Sequence, residues 1–408
     1  MDQEQLAADK LYKSHFGKLV ATMLQFSTDL DLETAEDLVQ DAFYAALATW
    51  KQNGIPQNPA GWMYRVCRNN AINALKKIKS FKNPFEEGHA TNEAEREEDI
   101  FDDSKLQSLF ACAHPRLSAK MQVVITLKYV VNLRTESIAK ALGMTVDGID
   151  KTLSRAKQRI RMENIFLKVP TPLQLKTRLA VVHKIIYLIF NEGYKAGSGK
   201  EIIRQELCEE GLIMTKSLLD THTCNSDTTA LYALLLFNAA RLNARVTPTG
   251  ELSDLEEQDR DLWNHELIGL GSYYLYQSKT DNISSYHYEA AIAYLHCHAK
   301  NFPETDWTTI TQLYSQLLQH NSNPFIELNY AIALYFAAQK KEAFALLHKL
   351  QQSFLDQSYL LHAALGKLYL LEYEYDKSDF HLKQALDLTN FQAEKDFVKK
   401  LLAKKLEQ

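Results

Sequence analysis

The chain of 408 residues contains few of the residues that interrupt regular structure, with only 14 glycines and 9 prolines. An all-β fold needs many turns rich in these residues, so the composition disfavours such a fold and favours helices. No apolar run approaches the roughly 20 residues that a membrane-spanning helix requires. The N-terminal segment MDQEQLAADKLYKSHFG lacks the basic-then-apolar order of an export signal. We therefore expect a cytoplasmic protein that makes no contact with a membrane.

Cysteine is also scarce, and the five cysteines are scattered without a CxxC pair. This pattern disfavours a disulfide framework or a zinc ribbon and is typical of a reducing compartment. The HCH run at 296–298 is a weak candidate for a metal site, because side chains two residues apart on a helix point in different directions. We predict that the protein needs no metal and no cofactor.

Motifs of common enzymes are absent too, since the sequence has no GxSxG, HExxH, P-loop or dinucleotide fingerprint. The best catalytic candidate is the segment FNEGY, which places Glu192 beside a glycine-containing loop. We interpret Asn191, Glu192 and Tyr194 as residues that cap and pack the end of a helix. The sequence therefore predicts a protein that is not an enzyme.

The net charge of −5 conceals an uneven distribution of charge. One basic block consists of Arg65, Arg68, Lys76, Lys77, Lys79 and Lys82, and a second consists of Lys151, Arg155, Lys157, Arg159 and Arg161. Between them, residues 86–103 are rich in acids and contain Arg96 as their one strong base. An acidic protein with local basic stripes can bind nucleic acid, because attraction to phosphate acts over about a Debye length.

The segment AEDLVQDAFYAALATW, Ala35 to Trp50, shows the periodicity of an amphipathic helix. Its predicted core stripe consists of Val39, Ala42, Phe43, Ala46, Leu47 and Trp50. Its other face carries Asp37, Gln40, Asp41 and Tyr44 at helical spacing and is predicted to be exposed. Taken alone, this face is an ordinary solvated surface.

A second helix is predicted to begin at Asn58-Pro59, with Asn58 as the cap and Pro59 in the first turn. Its buried side is predicted to contain Met63, Val66, Cys67, Ala71, Ala74, Leu75 and Ile78. The opposite side is polar and cationic, with Trp62, Arg65, Asn69, Asn73 and Lys76. Trp62 is either a stacking surface on this side or a residue of the core.

Residues 135–161 have the layout of a helix-turn-helix. Thr135 and Ser137 offer an N-terminal cap, and Gly143 falls at the sharp turn. The second helix starts at Thr145, with a predicted inner face of Val146, Ile149 and Leu153. Its outer face would present Thr145, Asp147, Gly148, Lys151, Thr152 and Arg155. The alternative is a helical hairpin that binds nothing.

The last hundred residues contain an internal repeat. Setting Ala331 against Gly366 and Ala343 against Ser378 aligns two segments at nearly the 34-residue period of tetratricopeptide repeats. The positions expected to pack in the second copy are Leu365, Gly366, Tyr369, Tyr375, Leu382 and Ala385. The sequence predicts helical hairpins at this end and only helices before Pro324.

Three segments in order resemble the extracytoplasmic-function class of bacterial sigma-70-family factors. AEDLVQDAF resembles region 2.2, NPAGWMYRVCRNNAINALKK resembles regions 2.3 and 2.4, and residues 117–161 are similar to region 4. The segments IIYLIFNEGYKAG, EQDRDLW and YEAAIAYLH resemble the long tetratricopeptide-like extension of one subgroup. The resemblance implies an all-α fold with region 2 in residues 1–82, an acidic linker in 83–104, region 4 in 105–168 and a regulatory helical-repeat domain in 169–408.

The resemblance also implies roles for individual residues. Region 2.2 docks on the clamp helices of the β′ subunit of core RNA polymerase, which are basic, and region 4 docks on the β flap. The matching acidic face here is Asp37, Gln40, Asp41 and Tyr44. Regions 2.3 and 2.4 bind the opened −10 element, which points to Trp62, Arg65, Arg68, Asn69, Asn73, Lys76 and Lys77. Region 4 binds the −35 element, which points to Thr145, Asp147, Lys151, Thr152, Arg155 and Lys157.

Two features depart from simple expectation. Asp147 and Asp150 lie on the recognition helix, where an acid repels phosphate, although Asp147 can accept a hydrogen bond from a cytosine amino group. The acidic linker is either a plain tether or a mimic of nucleic acid in the RNA exit channel. The sequence therefore predicts a sigma factor whose C-terminal domain responds to a protein or a small molecule. The rival prediction is a tetratricopeptide scaffold with a degenerate DNA-binding N-terminus.

Overall fold

A computed structural model describes residues 3–27, 29–82, 99–168, 170–195, 203–247 and 250–404. The described residues form helices and no β-strand, so the predicted all-α class is confirmed. An isolated bridge between Val246 and Leu252 is the extended pairing found among them. The chain divides into two compact units, Met1–Ile189 and Phe190–Gln408.

The described part of the first unit contains eight α-helices, the last of which continues past the division. They are α1 (Gln3–Phe26), α2 (Leu32–Asn53), α3 (Pro59–Lys82), α4 (Asp99–Cys112), α5 (Ala119–Ile125), α6 (Thr135–Leu142), α7 (Val146–Met162) and α8 (Pro172–Tyr194). A π-helical turn, Thr126–Val130, continues directly from α5. Helix α1 packs against α2, α3, α4 and this turn, so the N-terminal helices share one core with the segment around residue 130.

The contact between α1 and the π-helical turn is unusually close. A Cβ atom on Gly17 of α1 would overlap the backbone carbonyl oxygen of Val130. Around this point Leu19, Val20 and Leu127 are fully buried. Glycine is therefore required at position 17 because the two backbones approach each other directly.

The acidic segment predicted as a linker, 83–104, overlaps a helix. Helix α4 begins at Asp99, and residues 83–98 of the predicted linker lie outside the described residues. Acids are favourable in a first helical turn because they interact with the positive end of the helix dipole. The apolar residues that follow them, Leu109 and Phe110, are buried, so α4 is anchored by the core of the unit.

Where the structure describes it, the second unit is an array of ten α-helices joined by loops and short 3₁₀ turns. They are α9 (Gln205–Leu219), α10 (Ser226–Ala240), α11 (His265–Gln277), α12 (Ser285–His298), α13 (Trp307–His320), α14 (Pro324–Phe336), α15 (Lys340–Leu350), α16 (Tyr359–Leu371), α17 (Tyr375–Leu388) and α18 (Gln392–Lys404). Helices pack mainly on their neighbours in sequence, and α16 with α17 forms the most extensive pair. Helix α10 is buried on nearly all sides and is the central element of its part of the array.

The two aligned copies of the predicted repeat are α14–α15 and α16–α17. Ala331 and Ala343 of the first copy are fully buried, and Ser378 of the second is 1 % exposed. In the second copy the Ser378 hydroxyl donates to the carbonyl oxygen of Gly366 at 2.8 Å, where a Cβ would meet Leu382. Equivalent positions thus pack in both hairpins, and their assignment to tetratricopeptide repeats stays a prediction.

Four of the five cysteines are buried, and Cys224 is exposed. Burial raises the pKa of the Cys67, Cys112 and Cys208 thiols to about 12. Burial also raises the pKa of Cys297. The buried cysteines therefore behave as small apolar side chains.

Candidate polymerase and nucleic-acid interfaces

Helix α2 presents the acidic face that the sequence predicts. Asp31 caps the helix, because its carboxylate accepts from the Thr34 backbone amide at 2.8 Å. Asp37 and Asp41 are exposed, Gln40 is half-buried, and the Tyr44 side chain is 71 % exposed. These four side chains follow one face of the helix and leave two carboxylates and one ring on the surface.

The core stripe of α2 lacks one predicted residue and also includes Leu32, Ala35 and Leu38. Val39, Ala42, Ala46 and Trp50 are at most 1 % exposed, and Phe43 is 7 % exposed. Leu47 is 41 % exposed, so its predicted burial is wrong. It lies at the edge of the stripe, where burial depends on the neighbouring helix and not on spacing alone.

Helix α3 begins where predicted. The Asn58 side chain accepts from the Gly61 amide at 2.8 Å, and Pro59 is the first helical residue. Its buried side is centred on Met63, Cys67 and Ala71, each 0 % exposed. Val66, Ala74 and Leu75 are half-buried, and the side chain of Ile78 lies outside the described residues.

The opposite side of α3 is open to solvent. Arg65, Asn69, Asn73, Lys76 and Lys77 are exposed, and Arg68 is half-buried. Trp62 is also half-buried, and its ring packs edge-on against that of Trp50 at 5.6 Å. Trp62 thus has one part in the core and one part at the exposed surface. It is neither a fully exposed stacking surface nor a fully buried core residue.

The helix-turn-helix consists of α6, a turn at Gly143 and α7. Gly143 has φ +61°, a left-handed conformation that favours glycine. Thr145 caps α7, since its hydroxyl accepts from the Gly148 amide at 3.1 Å. The predicted cap of α6 is wrong, because Arg134 occupies the cap position and Ser137 is buried inside the helix.

Helix α7 buries Ile149, Leu153, Ala156 and Ile160. Val146 is 41 % exposed, so the prediction that it lies on the inner face is wrong. Its position in the first turn places it beyond the helices that cover the rest of this side. The side chains left on the surface are those of Thr145, Asp147, Lys151 and Arg155, with Thr152 half-buried.

Asp147 has a local partner that reduces its repulsion of phosphate. Its carboxylate accepts from the Lys151 ammonium at 2.7 Å, one turn along the helix. Both side chains are largely exposed, so the pair is worth no more than about 0.5 kcal/mol and breaks easily. Lys151 can therefore turn to a phosphate while Asp147 turns to a base.

Lys157 does not lie with the other predicted −35 residues. Its ammonium is 3.9 Å from a Glu36 carboxylate oxygen on α2, and it lies 5.3 Å from the centre of the Tyr129 ring. One turn further on, Arg161 donates to Glu33 at 2.8 Å. The basic C-terminal half of α7 thus faces the N-terminal part of the acidic helix α2.

This contact perturbs the titration of its members. Burial raises the pKa of Glu36, although the Lys157 and Lys128 charges act in the opposite direction. Burial lowers the pKa of Lys157, but its hydrogen bond to Tyr129 and the negative charge of Glu36 outweigh this effect, so the pKa is raised overall. Lys157 is accordingly held as a cation between an aromatic ring and a carboxylate.

Sequence reasoning did not identify Glu33, Glu36 or Tyr129 as members of this contact. Each of them follows the local periodicity of its own helix and carries no separate signal. The sequence identifies Arg161 and Lys157 as basic residues, but it does not reveal that they pair with acids of α2. Pairing such acids with such bases requires knowing that α2 and α7 are neighbours.

The two segments considered for catalysis and for metal binding lie at helix ends. Glu192 is 4 % exposed near the end of α8, and the carbonyl oxygen of Gly193 accepts from the Arg204 amide at 2.8 Å. In the HCH segment, Cys297 is buried while His298 is exposed. Among the described residues, no group of three or more His, Cys, Asp or Glu side chains has the arrangement of a metal site.

No helix of the described chain has the length and apolarity needed to cross a bilayer.

Three family models match the chain. Sigma-70 region 2 matches residues 11–81, Sigma-70 region 4 matches residues 108–160, and a family of unknown function, DUF6596, matches residues 178–279. The first range includes α2 and all but the last residue of α3, and the second includes α6 and all but the last two residues of α7. The third begins in α8 and extends into the second unit.

Two curated proteins are similar to the chain. The uncharacterized protein R00370 of Rhizobium meliloti strain 1021 is 31 % identical over 340 residues, which cover 81 % of this chain and 80 % of that protein. The RNA polymerase sigma factor SigV of Bacillus subtilis strain 168 is 26 % identical over 142 residues, which cover 34 % of this chain and 81 % of that protein. No solved structure matches the chain.

Proposed function

This chain belongs to the sigma-70 family as a factor of the extracytoplasmic-function type with a C-terminal extension, and we propose that it directs core RNA polymerase to a specific set of promoters. It would act in the cytoplasm, where the polymerase is found. The observation that carries the proposal is the presence, in one unit, of an exposed acidic helix face, an exposed cationic helix face and a capped helix-turn-helix.

The acidic face of α2 is the proposed docking surface for polymerase. Asp37 and Asp41 are exposed and one turn apart, and Tyr44 adds an apolar contact beside them. A basic partner surface, such as the clamp helices of the β′ subunit, is complementary to two solvated carboxylates. Tyrosine at the centre of such a patch contributes contact area at low cost in conformational entropy.

The cationic face of α3 is the proposed site for the opened −10 element. Asn69 and Asn73 can hydrogen-bond to base edges, while Lys76 and Lys77 can bind phosphates. The exposed part of Trp62 offers a stacking surface. Its packing on Trp50 would hold the ring in place for an unpaired base.

The N-terminal half of α7 is the proposed reader of the −35 element. Lys151 and Arg155 are exposed there, and Thr145 and Asp147 lie at the end that enters the groove in a helix-turn-helix. In the present arrangement Lys157 is engaged with α2. We therefore place it among the residues that reach DNA only after α7 leaves α2.

Engagement of both promoter elements requires the first unit to open. By their numbering, the −35 and −10 elements lie about 25 base pairs apart, which is roughly 85 Å along B-DNA at 3.4 Å per base pair. A compact unit of 189 residues has a radius of gyration of only about 16 Å. Helices α3 and α7 cannot span that distance while α1 packs on the π-helical turn. The closed unit would be the form of the free protein.

The extension after region 4 is proposed to modulate this activity. Its first helix, α8, is part of the packing of the first unit, because Arg178 donates to the carbonyl oxygen of Phe110 at 2.7 Å. A conformational change in the extension that moves α8 would thus alter the packing of the sigma regions.

The test is binding to core RNA polymerase. The full chain and a chain truncated after residue 195, which retains α8, are compared with the full-length double variant Asp37→Arg, Asp41→Arg. We expect the full chain and the truncated chain, which carry no substitution, to bind. The affinity of the double variant should be at least tenfold lower than that of the full chain. Glu342→Arg, an exposed acid in the second unit, is the matched control and should bind normally. Failure of both unaltered chains to bind would favour the scaffold alternative.

A further inference from the structure

The second unit contains a cavity of about 470 Å³ that the proposed sigma function does not use. Helices α10, α12, α13, α14 and α16 line it, together with the loop that contains Asp254 and Glu256. This volume falls within the range of sites that bind small molecules. The cavity is formed by several helices of one unit, so it does not depend on the position of the sigma regions.

One wall of the cavity is aromatic. Trp307 and Phe336 stack at 5.0 Å with an interplanar angle of 29°, and Phe302 packs edge-on against both of them at 5.0 and 4.9 Å. The His296 ring meets Trp307 edge-on at 5.3 Å. These rings offer a flat apolar surface to a ligand and fix one another's orientation.

A guanidinium group that forms no ion pair with a described acid lies in the same cavity. Arg241 donates to the Asn238 side chain at 2.6 Å and is hydrogen-bonded to Tyr194. Its Nε atom is buried without a hydrogen-bond partner among the described residues, and no ion pair there involves Arg241. A buried charge that lacks a counter-charge is costly unless a bound anion supplies one.

A second guanidinium lies close behind the wall. Arg260 donates to the carbonyl oxygens of His296 and Ala299 at 2.9 and 2.8 Å, and one of its terminal nitrogens is buried without a partner in the described structure. Burial, followed by the Arg241 and Arg260 charges, lowers the pKa of His296 to about 3. His296 is therefore neutral at physiological pH, and the positive potential comes from the two arginines.

Two of the three acids that line the cavity pair with a lysine. Asp254 and Glu256 both pair with Lys367, at 2.6 and 2.8 Å, on the side formed by α16. Glu289 lies seven residues before His296 on α12, which is about 10 Å along the helix axis. Glu289 and Arg241 both act electrostatically on Tyr314, another lining residue, so Glu289 contributes a negative charge to the same lining. The end of the cavity next to Arg241 and His296 combines a positive charge with an aromatic wall.

We propose that this cavity binds a small organic anion with a flat apolar body, whose carboxylate pairs with Arg241 and whose ring lies against Trp307 and Phe336. Asn238 would supply an additional amide to the carboxylate. The polar contact with Arg241 fixes the orientation of the ligand, and the aromatic wall supplies most of the buried area.

The experiment measures binding to the full-length protein by isothermal titration calorimetry. Two acids, phenylacetate and indole-3-acetate, are compared with their uncharged amides, phenylacetamide and indole-3-acetamide. We expect the acids to bind at least tenfold more tightly than the amides, because only the acids form the charge-assisted pair. Arg241→Met should remove this difference, while Lys349→Met, an exposed position outside the cavity, should leave it unchanged.

The comparison of acids with amides keeps the proposal testable even if Arg241→Met does not fold. Equal affinities for an acid and its amide would overturn the proposal. So would the absence of binding by either acid at millimolar concentration. Binding of a peptide that ends in phenylalanine, with no binding of the free acids, would assign the cavity to polypeptide termini and also overturn it.

Discussion

Gly17 of α1 lies directly against the backbone carbonyl of Val130, which joins the first helix of the sigma-70 region 2 segment to the π-helical turn of the region 4 segment. The two residues are far apart in sequence, and both lie in a fully buried part of the unit. This contact, with the packing of α1 on α4, holds the two regions in one body. Four predictions concern the stability, opening and binding properties of the protein.

Gly17→Ala is expected to destabilise the closed unit. The added methyl group overlaps a backbone atom that cannot rotate away, and overpacking of this kind costs about 1–3 kcal/mol. Hydrogen–deuterium exchange should become faster in residues 14–20 and 126–132. Gly269→Ala is the control, because Gly269 lies exposed in helix α11 and a methyl group added there would have no atom within 4 Å. It should stabilise α11 by up to about 1 kcal/mol. Unchanged exchange in Gly17→Ala would contradict the close approach.

The Glu33–Arg161 ion pair is expected to set the register of the closed unit while contributing little free energy. Its side chains are 48 % and 72 % exposed, so the coupling should be below about 1 kcal/mol and should vanish in high salt. A double-mutant cycle of Glu33→Arg and Arg161→Glu, read by urea unfolding, measures this coupling. The swapped double variant should recover most of the stability lost by each single variant. A coupling of several kcal/mol would mean that the pair is a main support of the closure.

Two substitutions on the exposed face of α3 should have different effects on DNA binding. Lys77→Ala is expected to weaken binding to all single-stranded sequences alike and to reduce the slope of log affinity against log salt concentration by about 1. Asn69→Ala should leave this slope unchanged and relax the preference at one base. Fluorescence anisotropy on a set of opened −10 oligonucleotides over a range of salt concentrations distinguishes the two. Identical effects of both variants would contradict the division into phosphate and base contacts.

The stability of the second unit is expected to fall as the pH decreases below about 6.5. His296 has a folded-state pKa of about 3, below its ordinary value of 6.5, because of burial and the Arg241 and Arg260 charges. Below pH 6.5 the unfolded chain binds a proton that the folded chain does not, so the contribution of His296 is complete above that pH and is lost toward pH 3. His296 should contribute up to about 1.4 kcal/mol per pH unit to the slope. His381, whose pKa burial and the His362 charge lower to about 4, should add to it in the same direction.

Urea unfolding between pH 7 and pH 5, followed by a spectroscopic probe of the second unit, measures this slope. His296→Gln should reduce the slope by up to about 1.4 kcal/mol per pH unit and leave the part that comes from His381, whereas substitution of the exposed His222 to Gln should not change it. An equal slope in His296→Gln and the unaltered protein would show that another group controls the acid sensitivity.

Local features of the fold were predictable because their causes are local. Asn58 and Thr145 cap their helices, and Gly143 takes the left-handed conformation, since each effect acts within three or four residues of the chain. Leu47 and Val146 were misplaced because they lie at the edges of apolar stripes, where the neighbouring element decides whether a side chain is covered.

Long-range relationships carried no such signal. The close approach of Gly17 to Val130 and the pairing of Lys157 with Glu36 involve residues more than one hundred positions apart. The acidic face of α2 and the cationic face of α3 were predicted, but the contact of α2 with the basic end of α7 was not. A second unit with a charged cavity likewise cannot be read from sequence, because its lining comes from five separate helices.

The distribution of the cysteines makes the protein suited to site-specific labelling as it stands. A thiol reagent attacks the thiolate, and burial keeps four of the five thiols protonated and covered. A maleimide dye applied at neutral pH would therefore attach at Cys224, just before α10. One added cysteine on the surface of α2 would then provide a dye pair whose energy transfer reports changes between the two units, with no native cysteine removed.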